Sequence, residues 1–172
     1  VIGTLLCARE AARRLATTRG GRGGSIVLVS SAAARLGSPG EYVDYAATKG
    51  AVDTLALGLA REMATDGVRV NAVRPGVIET DMHASTGRPD RPALLAPLIP
   101  LGRPGTADEV AQAIVWLLTD AASYTTGALL DVSGGRLIGT GVDTGDSENN
   151  PYQLQIGGWV EVIYSGFVVG FR

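Results

Sequence analysis

Tyr45 and Lys49 stand four residues apart. On a helix that spacing puts both side chains on one face, one turn from each other. A phenol titrates near pH 10 in water, so a tyrosine does acid–base work at neutral pH only where a neighbouring cation stabilises its phenolate. A compact ammonium suits that task and can also donate to sugar hydroxyls, a role that a broad guanidinium fits poorly. Of the 15 basic residues 14 are arginine, and Lys49 is the only lysine. The plainer account of the spacing, a solvated helical pair, does not explain why lysine is kept here alone.

Other candidates are weaker. Ser31 closes the apolar run Ser25-Ile-Val-Leu-Val-Ser-Ser31, and Pro75-Gly76 breaks the run that starts at Val68. His83 is the only histidine and has no cysteine or histidine cluster near it, so no metal site is expected and a solvated loop position is. Cys7 is expected to be a packed helix residue and not a nucleophile. Arg88 and Arg91 are placed to meet an anionic substrate, but solvated loop charges are the simpler reading. Trp116, on an apolar helix, is expected in the core.

The elements that would position these groups follow from periodicity. Leu5, Ala8, Ala12 and Leu15 recur at helical spacing over residues 1–18, and Val52, Leu55, Leu59 and Met63 do so over 41–65, with Gly67 as a stop. The continuous apolar run at 25–31 reads as a strand covered on both faces, and 68–73 and 127–132 read as the next strands. Residues 80–105, rich in proline, glycine and arginine, read as a long loop with one short helix at most. Thr106-Ala-Asp-Glu109 reads as a capping box opening a helix to about residue 119, with Val110, Ile114 and Leu117 facing inward. The order strand, helix, strand, loop, helix, strand implies an α/β fold with a parallel sheet. In such sheets ligands gather at the carboxyl ends of the strands. Ser31, Tyr45, Lys49 and Pro75-Gly76 all converge there.

Composition narrows the function. Net charge is −2, and no basic stripe tracks a phosphate backbone, so nucleic acid is not the expected partner. No uninterrupted apolar stretch reaches membrane-spanning length. A single cysteine excludes an internal disulfide and fits a reducing, cytoplasmic setting. Residues 1–135 hold 23 alanines and residues 136–172 hold none, which places a boundary near Gly135.

Four segments carry a resemblance: Ser30-Ser31-Ala-Ala-Ala, Tyr45-Ala-Ala-Thr-Lys49-Gly, Asn71-Ala-Val-Arg-Pro-Gly-Val-Ile-Glu-Thr80-Asp and Thr126-Gly-Ala-Leu-Leu-Asp-Val-Ser-Gly-Gly135. In this order and spacing they resemble the classical short-chain dehydrogenases/reductases, in the branch of acyl-carrier-protein ketoreductases and glucose-dehydrogenase-like enzymes. The resemblance implies the carboxyl-terminal half of a doubly wound, Rossmann-like parallel sheet, and an oxidoreductase moving hydride between NAD or NADP and a small-molecule carbonyl/alcohol substrate. Tyr45 would be the general acid/base. Ser31 would bind the substrate oxygen, with Ser30 as the alternative if the register differs, because Ser31 to Tyr45 is one residue longer than the family's usual spacing. Tyr45 and Lys49 would also contact the cofactor, Lys49 at the nicotinamide ribose. Pro75, Gly76 and Val77 would pack on the nicotinamide, and the Ile78 backbone and Thr80 hydroxyl would hold its carboxamide. The resemblance also implies a homodimer or homotetramer through the two long helices.

The family's glycine-rich pyrophosphate turn follows a strand, whereas Gly20-Gly-Arg-Gly-Gly24 precedes one and reads as a plain turn. The nucleotide-binding half is therefore expected to be absent from residues 1–172, and the isolated chain to be inactive. The rival reading is a non-enzymatic remnant or oligomerisation module. Beyond residue 135 the runs 152–156, 159–164 and 167–171 have strand character, with the hairpin-compatible pairs Gly157-Gly158 and Ser165-Gly166 between them. This atypical tail is compatible with a β-meander, though unrelated sequence joined at the composition break is the preferred account.

Overall fold

The middle strand of the sheet, β2 (Val68–Pro75), lies parallel to both its neighbours, β1 (Gly24–Val29) and β5 (Leu129–Val132). Val68, Val70 and Ala72 turn to one face, where α1 (Ile2–Leu15) and α3 (Val43–Met63) cover them with Ala8, Ala12, Val52, Ala56 and Ala60. Val73 turns to the other, under Val110 and Leu117 of α6 (Ala107–Leu118). Helices on both faces explain why β2 is buried along most of its length rather than alternating with water-facing residues. This is the parallel α/β arrangement expected from the order of the elements, with helices on both faces as the resemblance implied. The computed structural model describes residues 1–85 and 87–138, and Val1–Ile138 forms one compact unit. The strand readings at 152–156, 159–164 and 167–171 lie outside the described residues.

Two polar side chains in β2 fasten neighbouring elements. Asn71 is fully buried, donates from Nδ2 to the Thr125 carbonyl at 2.9 Å and accepts the Ala128 amide at Oδ1 at 3.0 Å, so the entry to β5 is fixed by a satisfied amide. The Arg69 guanidinium donates to the carbonyls of Leu117 and Thr119. These lie at the end of α6, where unpaired carbonyls and the negative end of the dipole favour a cation. At the other end, Thr106 and Glu109 form the expected capping box.

Several details depart from the pattern-based reading. The first helix stops at Leu15 because the chain folds back over it, with Gly21 and Gly23 amides donating to the Ala16 and Leu15 carbonyls. A Cβ at Gly21 would sit 2.4 Å from the Leu15 carbonyl carbon, so only glycine permits the return. Segment 80–105 is more ordered than a loop. It holds α4 (Asp81–Ser85), α5 (Arg91–Leu95), a 3₁₀ turn at Ala96–Leu98, and β4 (Gly105–Thr106) paired with β3 (Ile78–Glu79). Pro92 reads as a breaker in isolation but lies in the first turn of α5, where its missing N–H costs nothing. Trp116, expected in the core, is 42% exposed on the outer side of α6, and Cys7, expected to be packed, is exposed on α1. Neither side chain lies on the face its helix turns to the sheet; that face carries Val110 and Leu117 in α6, and Ala8 and Ala12 in α1.

Candidate active site

The sheet register brings the strand ends together: Val29 pairs with Val73, and Val73 with Leu130. Past the last rung the Ser30 amide donates to the Val73 carbonyl at 2.8 Å and the Ala32 amide to the Pro75 carbonyl at 2.9 Å. Ser31 is thus held between two fixed backbone bonds beside the exit of β2. The two serines differ in what their hydroxyls do. Ser30 is 2% exposed and donates to the Lys49 carbonyl at 3.1 Å, tying the end of β1 to α3. The Ser31 Oγ accepts the Ala33 amide at 3.1 Å, which leaves its own proton for a further acceptor.

After Ser31 a single-turn helix, α2 (Ala33–Leu36), ends on Gly37 at φ 70°, and Ser38 (φ 48°) and Gly40 (φ 72°) complete the turn into α3. Tyr45 lies in the first turn of α3 and is 41% exposed. One turn on, the Lys49 Nζ stands 5.7 Å from the centre of the Tyr45 ring and donates to the Val29 carbonyl at 2.8 Å. The ammonium is aimed by the end of β1, with two donor positions left over.

The segment after β2 is shaped by one close approach. A Cβ on Gly76 would lie 2.8 Å from the Ser133 Cα, and the Gly76 amide donates to the Val132 carbonyl at 2.9 Å. Val77 is buried and its carbonyl accepts the Gly105 amide at 2.9 Å. Thr80 is exposed ahead of α4, and its carbonyl accepts the His83 amide at 3.3 Å. The structure therefore gathers Ser31, Tyr45, Lys49 and the run Pro75–Thr80 at one end of the sheet.

Two residues take roles the sequence did not suggest. His83, read as a solvated loop residue, is partly buried with Nε2 at 2.9 Å from the Ile78 carbonyl. Arg91, read as a solvated charge, has only 17% of its side chain exposed. It forms a fork to Glu41, with 2.8 and 2.6 Å bonds to the two carboxylate oxygens, and its guanidinium lies 5.6 Å from the centre of the Tyr42 ring. That hydrogen bond holds the Glu41 carboxyl below its ordinary range. Glu41 and Arg91 are fifty residues apart, and no local pattern pairs them. Arg88 behaves as expected: it is exposed, 3.7 Å from Asp90.

These residues fit one half of a nicotinamide dinucleotide. An ammonium with spare donors suits ribose hydroxyls, the apolar Pro75–Val77 turn suits a flat ring, and the Ile78 backbone with the exposed Thr80 hydroxyl suits a carboxamide. Among the described residues no glycine-rich turn follows a strand into a helix to seat a pyrophosphate; the Gly20–Gly24 run leads into β1 instead.

Known proteins place the arrangement. The family model described as enoyl-(acyl carrier protein) reductase matches residues 1–136. An uncharacterised oxidoreductase of Escherichia coli K12, YgfF, is 61% identical over 136 residues, 79% of this chain and 55% of that protein. The 3-oxoacyl-[acyl-carrier-protein] reductase FabG of Thermotoga maritima is 44% identical over 117 residues, 68% of this chain and 47% of that protein. A short-chain type dehydrogenase/reductase structure from Mycobacterium ulcerans superposes with a TM-score of 0.70 at 41% identity, covering 79% of this chain and 48% of that one. A second from Mycobacterium marinum gives 0.73 at 34% identity, over 80% and 53%. The chain thus spans about half the length of the curated relatives it matches. With the serine, tyrosine and lysine at the strand ends and this match along residues 1–136, the chain belongs to the classical short-chain dehydrogenase/reductase family of oxidoreductases.

Proposed function

We propose that these residues serve hydride transfer between NAD or NADP and a small-molecule carbonyl/alcohol substrate, with Tyr45 as general acid in reduction and general base in oxidation. When bound, the nicotinamide supplies or accepts the hydride; everything else falls to the protein. The exposed Tyr45 hydroxyl gives its proton to the carbonyl oxygen as that oxygen gains charge, or takes the proton from the alcohol. The Ser31 hydroxyl donates to the same oxygen and stabilises the developing charge. Lys49 adds a fixed positive charge beside the phenol and offers its remaining donors to the ribose. Pro75, Gly76 and Val77 pack against the ring, while Ile78 and Thr80 hold its carboxamide and so select the face presented.

The observation that carries this reading is the placement of Lys49: its ammonium is fixed both to the end of the strand that delivers Ser31 and beside the Tyr45 ring. The reading also puts the protein in the reducing cytoplasm, where Cys7 stays a thiol, and pairs copies into a homodimer or homotetramer through α1 and α3. The test is a fluorescence titration with NADH and NADPH, followed by a screen of ketones and alcohols with wild type and Tyr45→Phe, each made with residues 1–172 joined to a strand–glycine turn–helix nucleotide-binding half. Saturable binding, and turnover reduced about 10²- to 10⁴-fold in the variant, is the expected result. Turnover that survives Tyr45→Phe, or no cofactor binding at all, overturns it.

A further inference from the structure

Ile78 and Thr80 hold no ligand until their backbone is itself held. Ile78 is in register with Gly105, and the Gly105 amide donates to the Val77 carbonyl at 2.9 Å. In a parallel ladder with that bond, the N–H and C=O of Ile78 itself lie on the edge turned away from β4. Its side chain meanwhile packs on the apolar cluster of Val73, Val110 and Leu117. A pairing of two-residue strands is marginal by itself, so the free edge needs a further support. His83 meets it there. The ring Nε2 lies 2.9 Å from the Ile78 carbonyl, and the His83 backbone amide donates to the Thr80 carbonyl at 3.3 Å. A carbonyl oxygen only accepts, so Nε2 carries the proton in this contact. The ring is partly buried, and the Arg88 amide donates to the His83 carbonyl at 2.9 Å, closing the turn that carries it. One residue thus grips the backbone at both 78 and 80, the two positions assigned to the carboxamide.

We propose that His83 is a positioning residue for the nicotinamide: its Nε2–H fixes the Ile78 carbonyl and so sets the backbone edge that meets the carboxamide. This rests on the hydride-transfer reading and adds to it a side chain that acts through Ile78 without touching the cofactor. The peptide unit between Val77 and Ile78 is tied to Gly105 on the β4 side, and His83 ties the next carbonyl from the other side. A backbone held from both edges is set before the ligand arrives, which is how a positioning contact gains affinity. The donor is what matters in this account, more than the ring. Glutamine can bring an N–H to the same carbonyl, whereas phenylalanine fills the space and donates nothing.

The experiment has two arms. His83 is the only histidine, so ¹⁵N-histidine labelling of the 172-residue chain gives a single imidazole in the NMR spectrum. An Nε2–H proton protected from exchange with water is expected, and one that exchanges as fast as in free imidazole overturns the contact. In the second arm the chain joined to a nucleotide-binding half is titrated with NADH and with ADP-ribose, which lacks the nicotinamide. The NADH Kd is expected to rise about 3- to 10-fold in His83→Phe and to return towards wild type in His83→Gln. ADP-ribose is expected to bind all three proteins equally, a result that a general loss of structure would not give. Equal weakening of NADH and ADP-ribose, an unchanged NADH Kd in His83→Phe, or no rescue by His83→Gln overturns the positioning role and leaves the hydride-transfer reading standing. Failure of the wild-type joined protein to bind NADH overturns that reading, and the role of His83 with it.

Discussion

Arg74 and Asp53 form an ion pair across the β2–α3 interface, with Nε and Nη2 of the arginine both 2.9 Å from one carboxylate oxygen, Oδ2. Only 12% and 10% of the two side chains is exposed, and the other oxygen, Oδ1, is buried without a hydrogen-bond partner among the described residues. Arg74 also reaches Asp131 at 3.5 Å, which Arg35 meets at 3.2 Å. The pair sits immediately before Pro75-Gly76, so it clamps the strand end on which the site depends.

Breaking that clamp from one side should be worse than removing it. Arg74→Met leaves Asp53 charged and poorly solvated, at a cost of about 3–5 kcal/mol, whereas the double variant Arg74→Met/Asp53→Leu should recover most of the loss. Urea denaturation of the three proteins checks this. A double variant no more stable than the single one would show that the pair is held by more than mutual neutralisation.

The two serines make separable predictions. Ser31→Ala removes a hydroxyl whose proton is left for a further acceptor, so turnover should fall about 10²- to 10³-fold with the denaturation midpoint nearly unchanged. Ser30→Ala removes the bond from the end of β1 to the Lys49 carbonyl, so it should cost about 1 kcal/mol of stability with a smaller effect on turnover. The reverse pattern would move the substrate-binding role to Ser30 and shift the register by one residue.

The sheet could be read from the sequence because its strands are covered on both faces: an unbroken apolar run such as Ile26–Val29 has few other stable settings. Tyr45 and Lys49 could be read because four residues of helix fix their relation locally. Arg91 could not, since its partner Glu41 lies fifty residues away and the loop-like composition around it pointed to solvent. Segment 80–105 was misjudged for a related reason, because Pro92 marks a helix start as readily as a break. His83 was misread because a turn of backbone, invisible to spacing rules, brings the Ile78 carbonyl to its ring.

Glu109 gives a pH signature. Its carboxylate accepts from the Arg103 guanidinium at 2.6 and 3.0 Å and from the Thr106 amide at 2.8 Å, and these bonds hold its pKa near about 2 instead of 4.5. A folded-state value below the unfolded one means the stabilisation is complete above the unfolded value and disappears as pH falls through the folded one. Glu109→Gln should therefore unfold at lower urea than wild type at pH 7, and the two midpoints should converge between pH 5 and about 2. A gap that persists at pH 2 would assign the effect to shape and not to charge.

The two glycines Gly76 and Gly58 should respond to alanine with opposite signs. At Gly76 the added methyl would lie 2.8 Å from the Ser133 Cα, a backbone atom that cannot step aside without parting β2 from the turn after β5. Gly76→Ala should cost about 1–3 kcal/mol and displace Pro75–Val77, so any cofactor affinity should weaken with it. At Gly58, inside α3, no atom lies within 4 Å of the new Cβ. Gly58→Ala should therefore stabilise the fold by about 0.5–1 kcal/mol, by restricting the unfolded chain and favouring the helix. Thermal denaturation of the two variants reads both effects. If Gly58→Ala destabilises instead, that side of α3 is in close contact with something outside the described residues, as pairing of copies through the long helices would require, and the oligomeric state of the variant would then fall with its stability.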